Sequence, residues 1–298
     1  MRILHLDSGR EMRGGQWQAL RLAQGLATRG HHCSLAAPAG SPLLARARES
    51  GIAACPIEVL RLRQWARASD VVHAHDARSH TLAAIARLRP LVVSRRVAFP
   101  ISSGLLSRWK YGQTDRYIAI SEHVKKVLVD GGVPPARISV IPDGVPLLPP
   151  ASERNRIIAP ASRDPLKGTA LALEAARLAG VDLELSGNLE HDLSQSRLFV
   201  YITESEGLGS AVLLAMSAGV PVIVSKVGGL TEIVEDGETG LVVANTAPAI
   251  ASAIRRLIQD ASLAERLGGR GRQTVAQKFT VDALVDRTLH LYQEVLVC

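Results

Sequence analysis

Short apolar runs alternate with helical patterns along nearly the whole chain, and this alternation constrains the fold more than any other feature. The first run, RILHLD, is followed by a polar loop and then by apolar residues at helical spacing. Strands that are joined through helices run parallel, because the chain must cross over to re-enter the sheet from the same edge. The sequence therefore predicts α/β architecture with doubly wound parallel sheets.

The 298 residues suit two medium-sized domains. A proline-rich segment, VPLLPPASER, predicts a linker between a first domain of residues 1–148 and a second that begins at residue 154. After the first strand, a loop ends in Gly14 and Gly15, at the edge where open parallel sheets bind ligands. The pattern G-x-G-x-x-G is missing from this turn, so a dinucleotide-binding fold is not indicated.

Composition excludes several protein classes. No apolar run in the sequence reaches the length of a membrane span, and the N-terminal strand is too short for the apolar region of a signal peptide. Cys33, Cys55 and Cys298 lack the spacing of a metal site. We therefore expect reduced thiols in a cytoplasmic protein.

The net charge of +7 is unevenly distributed. Residues 1–150 contain 21 Lys and Arg against 10 Asp and Glu, whereas residues 151–298 contain 14 against 18. Nucleic acid is a disfavoured partner, because the arginines are scattered singly and aromatic residues for base stacking are scarce. Two interpretations remain open: the basic half contacts an anionic membrane or a phosphate-bearing acceptor, or its arginines form an ordinary solvated surface.

The stretch from Thr203 to Glu232 contains the strongest candidate for a binding site. Glu206 stands before Gly207 and Gly209, and an apolar helix pattern follows them. The start of a helix presents unpaired amide groups and a partial positive charge, which suit a phosphate, and glycines let the backbone approach a ligand closely. The alternative is an ordinary strand–turn–helix of an α/β core.

Two further segments contain candidate site residues. Arg163 and Lys167 lie on one loop, where a guanidinium fork and a point charge could hold a diphosphate; the alternative is an exposed basic turn. His75 stands at the end of the strand in DVVHAHD, where it could bond a sugar hydroxyl or serve only the structure. A metal site made of His73, His75 and Asp76 is disfavoured, because Asp76 faces away from the histidines.

The segment EGLGSAVLLAMSAGVPVIVSKVGGLTEIVEDGETGLVV resembles the signature of the family-4 glycosyltransferases of the GT-B fold, and ISEHVKKVLVDGGVPPARISVIPDGV resembles a second segment of that family. The resemblance implies two Rossmann-like domains facing across a cleft. The first would bind the acceptor, and the second, residues 154–280, would bind the donor. The last helix, residues 281–298, would pack back on the first domain.

The resemblance also implies an activity. These enzymes transfer a sugar, with retention of anomeric configuration, from a nucleotide-diphosphate sugar such as a UDP-, GDP- or ADP-sugar. We expect neither a metal nor a cofactor, because Arg163, Lys167 and the helix dipole would supply the positive charge that Mg²⁺ would otherwise provide. The basic first domain favours a glycan or a lipid-linked acceptor, as in cell-envelope polysaccharide or lipopolysaccharide synthesis. Peripheral contact with the inner face of the membrane through the basic domain would fit such an acceptor.

Site residues are implied where the motifs match. Glu206 and His75 would be catalytic and face the sugar, whereas His73 is expected on the opposite side of the strand and buried. Asp143 stands where the family has asparagine, and we expect it to shape the turn. The remaining implied residues are the diphosphate ligands Arg163, Lys167, Ser210 and Ala211, the sugar-binding residues Gly207, Leu208 and Gly209, and the cleft-loop residues Gly14 and Gly15.

Two departures fall on nucleoside recognition. Leu214 occupies the position of the second glutamate in the family's Glu–x7–Glu motif, and Glu232 is expected to begin a later helix and not to replace that glutamate. Residues 187–198 are too few for the strand and helix that usually lie there. The chain is therefore expected to be a shortened member with reduced nucleoside contacts.

These departures keep two other functions open. One is a non-catalytic or partner-dependent glycosyltransferase-like binding protein. The other is a sugar-nucleotide epimerase on the same fold, for which the sequence offers no clear acid/base pair.

Overall fold

A computed structural model describes residues 1–152 and 154–297, with the side chains of residues 59 and 60 left aside. It divides the chain into two compact units: residues 1–143 together with the last helix, and residues 144–280. Cys33 and Cys55 are buried free thiols. The prediction for Cys298 lies outside the described residues.

The first unit contains a parallel seven-stranded sheet with the strand order β3-β2-β1-β4-β5-β6-β7. Its strands are β1 (Arg2–Leu6), β2 (His32–Ala37), β3 (Ala53–Pro56), β4 (Val71–Ala74), β5 (Leu91–Arg95), β6 (Arg116–Ala119) and β7 (Ile138–Val140). Its helices are α1 (Gly14–Thr28), α2 (Pro42–Glu49), α3 (Val59–Arg67), α4 (Ala77–Ala86), α5 (Leu105–Gly112) and α6 (Glu122–Asp130). Together these elements form the doubly wound sheet that the alternation predicts.

The last helix, Val281–Val297, packs within the first unit. Its inner face joins the same apolar core as α1, and Tyr292 on that face is fully buried. At the edge of the contact, Arg29 at the end of α1 forms ion pairs with Asp282, at 2.9 Å, and with Asp286. Residues from the two ends of the sequence thus share one hydrophobic core.

The second unit contains a parallel five-stranded sheet with the order β12-β11-β10-β8-β9. Its strands are β8 (Arg156–Pro160), β9 (Glu184–Ser186), β10 (Ser196–Tyr201), β11 (Val222–Ser225) and β12 (Leu241–Val243). Its helices are α7 (Thr169–Ala179), α8 (Leu189–Asp192), α9 (Ser210–Ser217), α10 (Leu230–Ile233), α11 (Ala247–Gln259) and α12 (Ala261–Lys278), so the last helix of the chain is α13. Residues 187–195, between β9 and β10, form only α8 and a short 3-10 turn.

The proline-rich segment, predicted as a linker between the domains, is grouped with the second unit, which begins at residue 144. The amide of Val145 donates to the carbonyl of Phe279 at 2.9 Å, and the amide of Ala151 donates to the carbonyl of Ala218 at 3.1 Å. Arg272 donates to the carbonyl of Leu148 at 2.5 Å. Proline removes some backbone donors, but these bonds fix the remaining backbone against α9 and α12.

No helix among the described residues is long and apolar enough to cross a bilayer.

Candidate active site

Lys167 and Glu206 meet in the second unit. Lys167 ends a 3-10 turn after β8, and Glu206 lies on the loop between β10 and α9. The ammonium Nζ donates to the carboxylate Oε2 at 2.7 Å, with side chains 32% and 15% exposed. The loop of Lys167 is anchored to the same strand end, because the amide of Glu204 donates to the carbonyl of Leu166 at 2.8 Å. Two residues predicted separately from their motifs therefore share one site.

Tyr201, the last residue of β10, also contacts this carboxylate. Its hydroxyl donates to Oε2 of Glu206 and accepts a hydrogen bond from Nζ of Lys167 at 3.3 Å. Burial, and then the charge of Glu206, raise the pKa of this phenol well above its usual value, so it keeps its proton. The other oxygen, Oε1, accepts from the amide of Gly207 at 3.1 Å. The glutamate is thus held at both oxygens.

The glycines around Glu206 are required by close packing. Gly209 adopts φ of +105°, and a Cβ there would lie 2.5 Å from Cδ2 of Leu230. A Cβ on Gly229 would lie 2.1 Å from the carbonyl oxygen of Gly207. The amide of Gly229 also donates to the carbonyl of Glu206 at 3.2 Å. The second glycine pair therefore supports the loop that leads into α9, whose first residues are Ser210 and Ala211.

Arg163 lies on the same loop as Lys167 but is exposed. Among the described residues its side chain makes no hydrogen bond or ion pair. The next residue, Asp164, caps the 3-10 turn by accepting from the amide of Leu166 at 3.0 Å. The structure therefore joins Lys167 to Glu206 and leaves the Arg163 guanidinium in solvent.

Leu214, at the position of the family's second glutamate, and Glu232, the next glutamate along the chain, lie in different environments. Leu214 is buried among the apolar residues of α9. Glu232 lies exposed in the four-residue helix α10, near the helix start at which it was expected. A carboxylate at position 214 would have to be accommodated in this apolar environment.

Three buried histidines lie together in the first unit. The parallel register pairs His5 with His73, and the rings of His73 and His75 are 4.0 Å apart between centroids. Placing His73 on the opposite side of the strand was therefore wrong, because residues i and i+2 of a strand share a face. The ligand atoms of the three histidines all lie within 4.8 Å of one another. Nothing in the sequence pattern pointed to His5 as the third member.

Hydrogen bonds engage these histidines on several sides. Nδ1 of His5 and Nε2 of His75 are 2.9 Å apart. His73 contacts the Tyr292 hydroxyl with Nδ1 at 2.6 Å and the Ser94 hydroxyl with Nε2 at 2.8 Å. Burial lowers the pKa of His5 to about 3 and holds the pKa values of His73 and His75 well below their usual range. All three imidazoles are neutral at physiological pH.

Arg96, the residue after β5, links His75 to Asp143. Its Nε donates to Oδ1 of Asp143 at 3.3 Å, with side chains 11% and 3% exposed. Its NH1 lies 3.4 Å from Nδ1 of His75. This guanidinium beside the histidine cluster disfavours a bound cation there. Sequence reasoning missed Arg96, although its position at a strand end was a usable signal.

Gly14 and Gly15 form the start of α1 and not the end of the preceding loop, where the sequence pattern placed them. A Cβ on Gly14 would have no atom within 4 Å, and one on Gly15 would lie 3.6 Å from Cδ of Arg96. Packing within the first unit therefore does not require glycine at position 14. The space above the helix start stays open beside Arg96.

A pocket of about 560 Å³ opens at the carboxyl edge of the first sheet. Residues that follow β1, β2 and β3 line it, together with residues of α4. Arg10 and Arg78 provide positive charge, and Ile57 and Leu82 provide apolar surface. It can therefore accommodate a molecule with an anionic group and a less polar part.

Comparisons with known proteins agree with this architecture. The family model "Glycosyltransferase Family 4" matches residues 12–147, and "Glycosyl transferases group 1" matches residues 160–274. The alpha-maltose-1-phosphate synthase of Mycobacterium tuberculosis is 36% identical over 116 residues, 37% of this chain and 30% of that protein. The capsular polysaccharide biosynthesis glycosyltransferase CapM of Staphylococcus aureus is 37% identical over 100 residues, 33% of this chain and 26% of that protein. The matched part thus spans less than a third of the length of these two relatives.

The Anabaena protein HepE, solved with UDP and glucose, superposes with a TM-score of 0.87 over 99% of this chain and 100% of that chain, at 17% identity. The two parallel-sheet units together with this likeness define a two-domain GT-B fold. The two family matches, which together cover residues 12–147 and 160–274, show that the chain belongs to the family-4 glycosyltransferases.

Proposed function

We propose that this chain is a retaining glycosyltransferase that moves a sugar from a nucleotide-diphosphate sugar to a glycan or lipid-linked acceptor. The observation that carries the proposal is the contact between Lys167 and Glu206 beside the start of α9. This contact places the Lys167 ammonium, the Glu206 carboxylate and the N-terminus of α9 together at the carboxyl edge of the five-stranded sheet.

The second unit binds the diphosphate in this proposal. When the bond between the sugar C1 and the diphosphate breaks, its electron pair passes to the phosphate oxygen, and the Lys167 ammonium neutralises that charge. Arg163, which is exposed on the same loop, and the amides of Ser210 and Ala211 add to this stabilisation. The acceptor oxygen then bonds to C1 on the face that the diphosphate leaves, and its proton passes to an oxygen of the departing diphosphate.

Glu206 stabilises the positive charge that develops at C1. Tyr201 and Lys167 hold one of its oxygens. Gly207, Leu208 and Gly209 bring the backbone close to the sugar. The resemblance assigns His75 to the sugar as well; its neutral imidazole would have to give up the contact of Nδ1 with Arg96 to bond a sugar hydroxyl.

The first unit binds the acceptor. Its pocket at the sheet edge contains Arg10 and Arg78, which suit an acceptor with a phosphate or carboxylate. Gly14 and Gly15 leave room at the start of α1. The relative CapM is named for capsular polysaccharide synthesis, so we place this activity in cell-envelope polysaccharide or lipopolysaccharide synthesis. The buried free thiols Cys33 and Cys55 support a reducing, cytoplasmic location.

No metal is required in this proposal. A divalent cation at a diphosphate neutralises the leaving charge, and here Arg163, Lys167 and the start of α9 supply that positive charge. Transfer should therefore persist in the presence of EDTA.

One observation favours a second candidate, a non-catalytic or partner-dependent binding protein. Leu214 is buried and apolar where the family's second glutamate stands. Such a protein would bind a glycan or a partner enzyme and no nucleotide sugar.

Calorimetric titration with UDP-, GDP- and ADP-glucose separates the two candidates. The glycosyltransferase proposal predicts saturable binding of at least one of them, weakened at least about tenfold by Lys167→Ala. Arg177→Ala is the matched control, because Arg177 is an exposed cation at the far end of α7. Binding of none of the three by the wild-type chain would favour the second candidate.

A further inference from the structure

Another cavity, of about 470 Å³, opens at the amino edge of the first sheet. Three adjacent strands contribute an arginine to its lining: Arg89 lies just before β5, Arg116 is the first residue of β6, and Arg137 is the residue before β7. The parallel register pairs Tyr117 with Ile138, so Arg116 and Arg137 occupy neighbouring positions on strands about 4.8 Å apart. The order of the strands therefore brings three guanidinium groups to one cavity.

The acidic residue in this lining balances only part of the positive charge. Among the described residues Asp115 is the single acid that lines the cavity. Its Oδ1 accepts from Arg89 at 3.0 Å, and its Oδ2 accepts from the amide of Leu91 at 2.7 Å. The exposed side chain of Arg137 makes no hydrogen bond or ion pair within the described part of the chain. Three arginines against one aspartate leave two positive charges at the cavity.

This charge pattern suits a small anion with more than one phosphate. Guanidinium forks bind phosphate oxygens in pairs, and two unbalanced positive charges attract a diphosphate more strongly than a single carboxylate. The volume of the cavity lies within the range of small-molecule sites. Pro90 and Val295 are the only apolar side chains described in the lining. A largely apolar ligand would therefore find little surface to bind.

The cavity lies at the opposite edge of the sheet from Arg96 and His75. Strand β5 has five residues, and at about 3.3 Å per residue it separates the two edges by roughly 15 Å. Open parallel sheets bind their substrates at the carboxyl edge. The ligand of this cavity is therefore a molecule other than the acceptor placed at that edge.

We propose that Arg89, Arg116 and Arg137 form a binding site for a diphosphate group at the amino edge of the first sheet. The site goes beyond the proposed transferase activity, in which Lys167 of the second unit holds the diphosphate of the donor. Inorganic pyrophosphate and the diphosphate of a nucleotide share the chemistry that this site recognises.

Calorimetric titration with inorganic pyrophosphate tests the proposal. The background is Arg163→Ala/Lys167→Ala, which lacks the two side-chain cations proposed for the donor diphosphate, and one pyrophosphate should still bind per chain. Adding Arg137→Gln should weaken this binding at least about tenfold and leave the thermal midpoint unchanged, because Arg137 is exposed. ADP is the second probe: an affinity no greater than that of pyrophosphate assigns the site to the free anion, and a higher affinity assigns it to a nucleotide.

The matched control is Arg63→Gln in the same background. Arg63 is an exposed cation on α3 of the same unit and does not line the cavity. The variant removes the same charge and should bind pyrophosphate as the background does. Absence of pyrophosphate binding in the background, or equal losses in Arg63→Gln and Arg137→Gln, would overturn the proposal. Nucleotide-sugar binding that is lost in Lys167→Ala concerns the proposed function and leaves this site unaffected.

Discussion

Arg96 and Asp143 form a buried ion pair at the carboxyl edge of the first sheet, with Nε and Oδ1 3.3 Å apart. Asp143 stands where the family's motif has asparagine, and from the sequence we predicted only that it shapes a turn. The structure gives a physical reason for an aspartate at this position, because the largely buried guanidinium of Arg96 needs a counter-charge. The same guanidinium contacts Nδ1 of His75.

Removing the acid should destabilise the first unit. Asp143→Ala leaves Arg96 unpaired in a buried position, which should lower the free energy of unfolding by about 3 kcal/mol. Urea unfolding measures this. Asp130→Ala, which removes an exposed partner of Lys126, is the control and should cost no more than about 1 kcal/mol. Equal losses in the two variants would argue against a buried ion pair.

The histidine tautomers follow from Arg96. A guanidinium can only donate, so Nδ1 of His75 must accept, and its Nε2–H then donates to Nδ1 of His5. This leaves the proton of His5 on Nε2, a buried atom without a partner among the described residues. Nitrogen NMR at pH 7 should therefore show both rings neutral with the proton on Nε2. A proton on Nδ1 of His75 would contradict the network.

Acid should destabilise the fold through its buried histidines. The pKa of His5 and that of His80 are lowered to about 3 by burial, so the unfolded chain binds more protons than the folded chain between pH 6.5 and pH 3. Stability is therefore full above pH 6.5 and falls as the pH is lowered through that window, by about 2 kcal/mol per histidine between pH 7 and pH 5. Urea unfolding of the wild type and of His80→Gln, compared at pH 7 and pH 5, measures the contribution of His80 to this loss of stability.

His290→Gln is the control for this pH experiment. The side chain of His290 is 77% exposed, so it is solvated in both the folded and the unfolded chain. The unfolding free energy of His290→Gln should therefore depend on pH as that of the wild type does. If the unfolding free energy of His80→Gln showed the same pH dependence as that of the wild type, burial of His80 would not cause the loss of stability in acid.

Tyr201 should position Glu206. Tyr201→Phe removes one hydrogen bond to the carboxylate and should lower kcat about tenfold, with KM changed less than threefold, because the carboxylate acts on the transition state. Tyr111→Phe, a partly buried tyrosine of the first unit, is the matched control and should keep wild-type kcat. An unchanged kcat in Tyr201→Phe would remove Tyr201 from the positioning role.

Leu214 should resist conversion to the family's glutamate. Leu214→Glu places a carboxylate in a buried apolar position without a built partner, which should cost about 3 kcal/mol or more in unfolding free energy. Leu214→Met conserves volume and should cost less than about 1.5 kcal/mol. Unfolding by urea compares the two. A stable Leu214→Glu chain with tighter nucleotide binding would show that position 214 faces a nucleotide.

The sequence predicted the strands and helices well, because each apolar run and each helical pattern has its own spacing and its own start and stop residues. It also singled out Glu206 and Lys167, because both lie on loops after strands, and the structure brings these two side chains into contact at 2.7 Å. The sequence did not predict contacts between residues that are far apart in the chain. Arg96 and Asp143 are 47 positions apart, and their pairing depends on how β5 and β7 lie in the sheet.

Tyr201 and His5 were missed for a related reason. Both are polar-tipped residues within apolar strands, where the pattern indicates only burial. Composition predicted a linker in the proline-rich segment but not the hydrogen bonds that its remaining amides make within the second unit. In each case the deciding information was a tertiary contact.

In the proposed function, Lys167 and Glu206 carry out sugar transfer from a nucleotide-diphosphate sugar. The most direct measurement is release of the nucleoside diphosphate from the donor that binds in the titration, with a cell-envelope lipid extract as acceptor and EDTA present. We predict turnover by the wild type and by Arg177→Ala, and a loss of at least about 100-fold in Glu206→Ala and in Lys167→Ala. Full turnover in both Glu206→Ala and Lys167→Ala would contradict the claim.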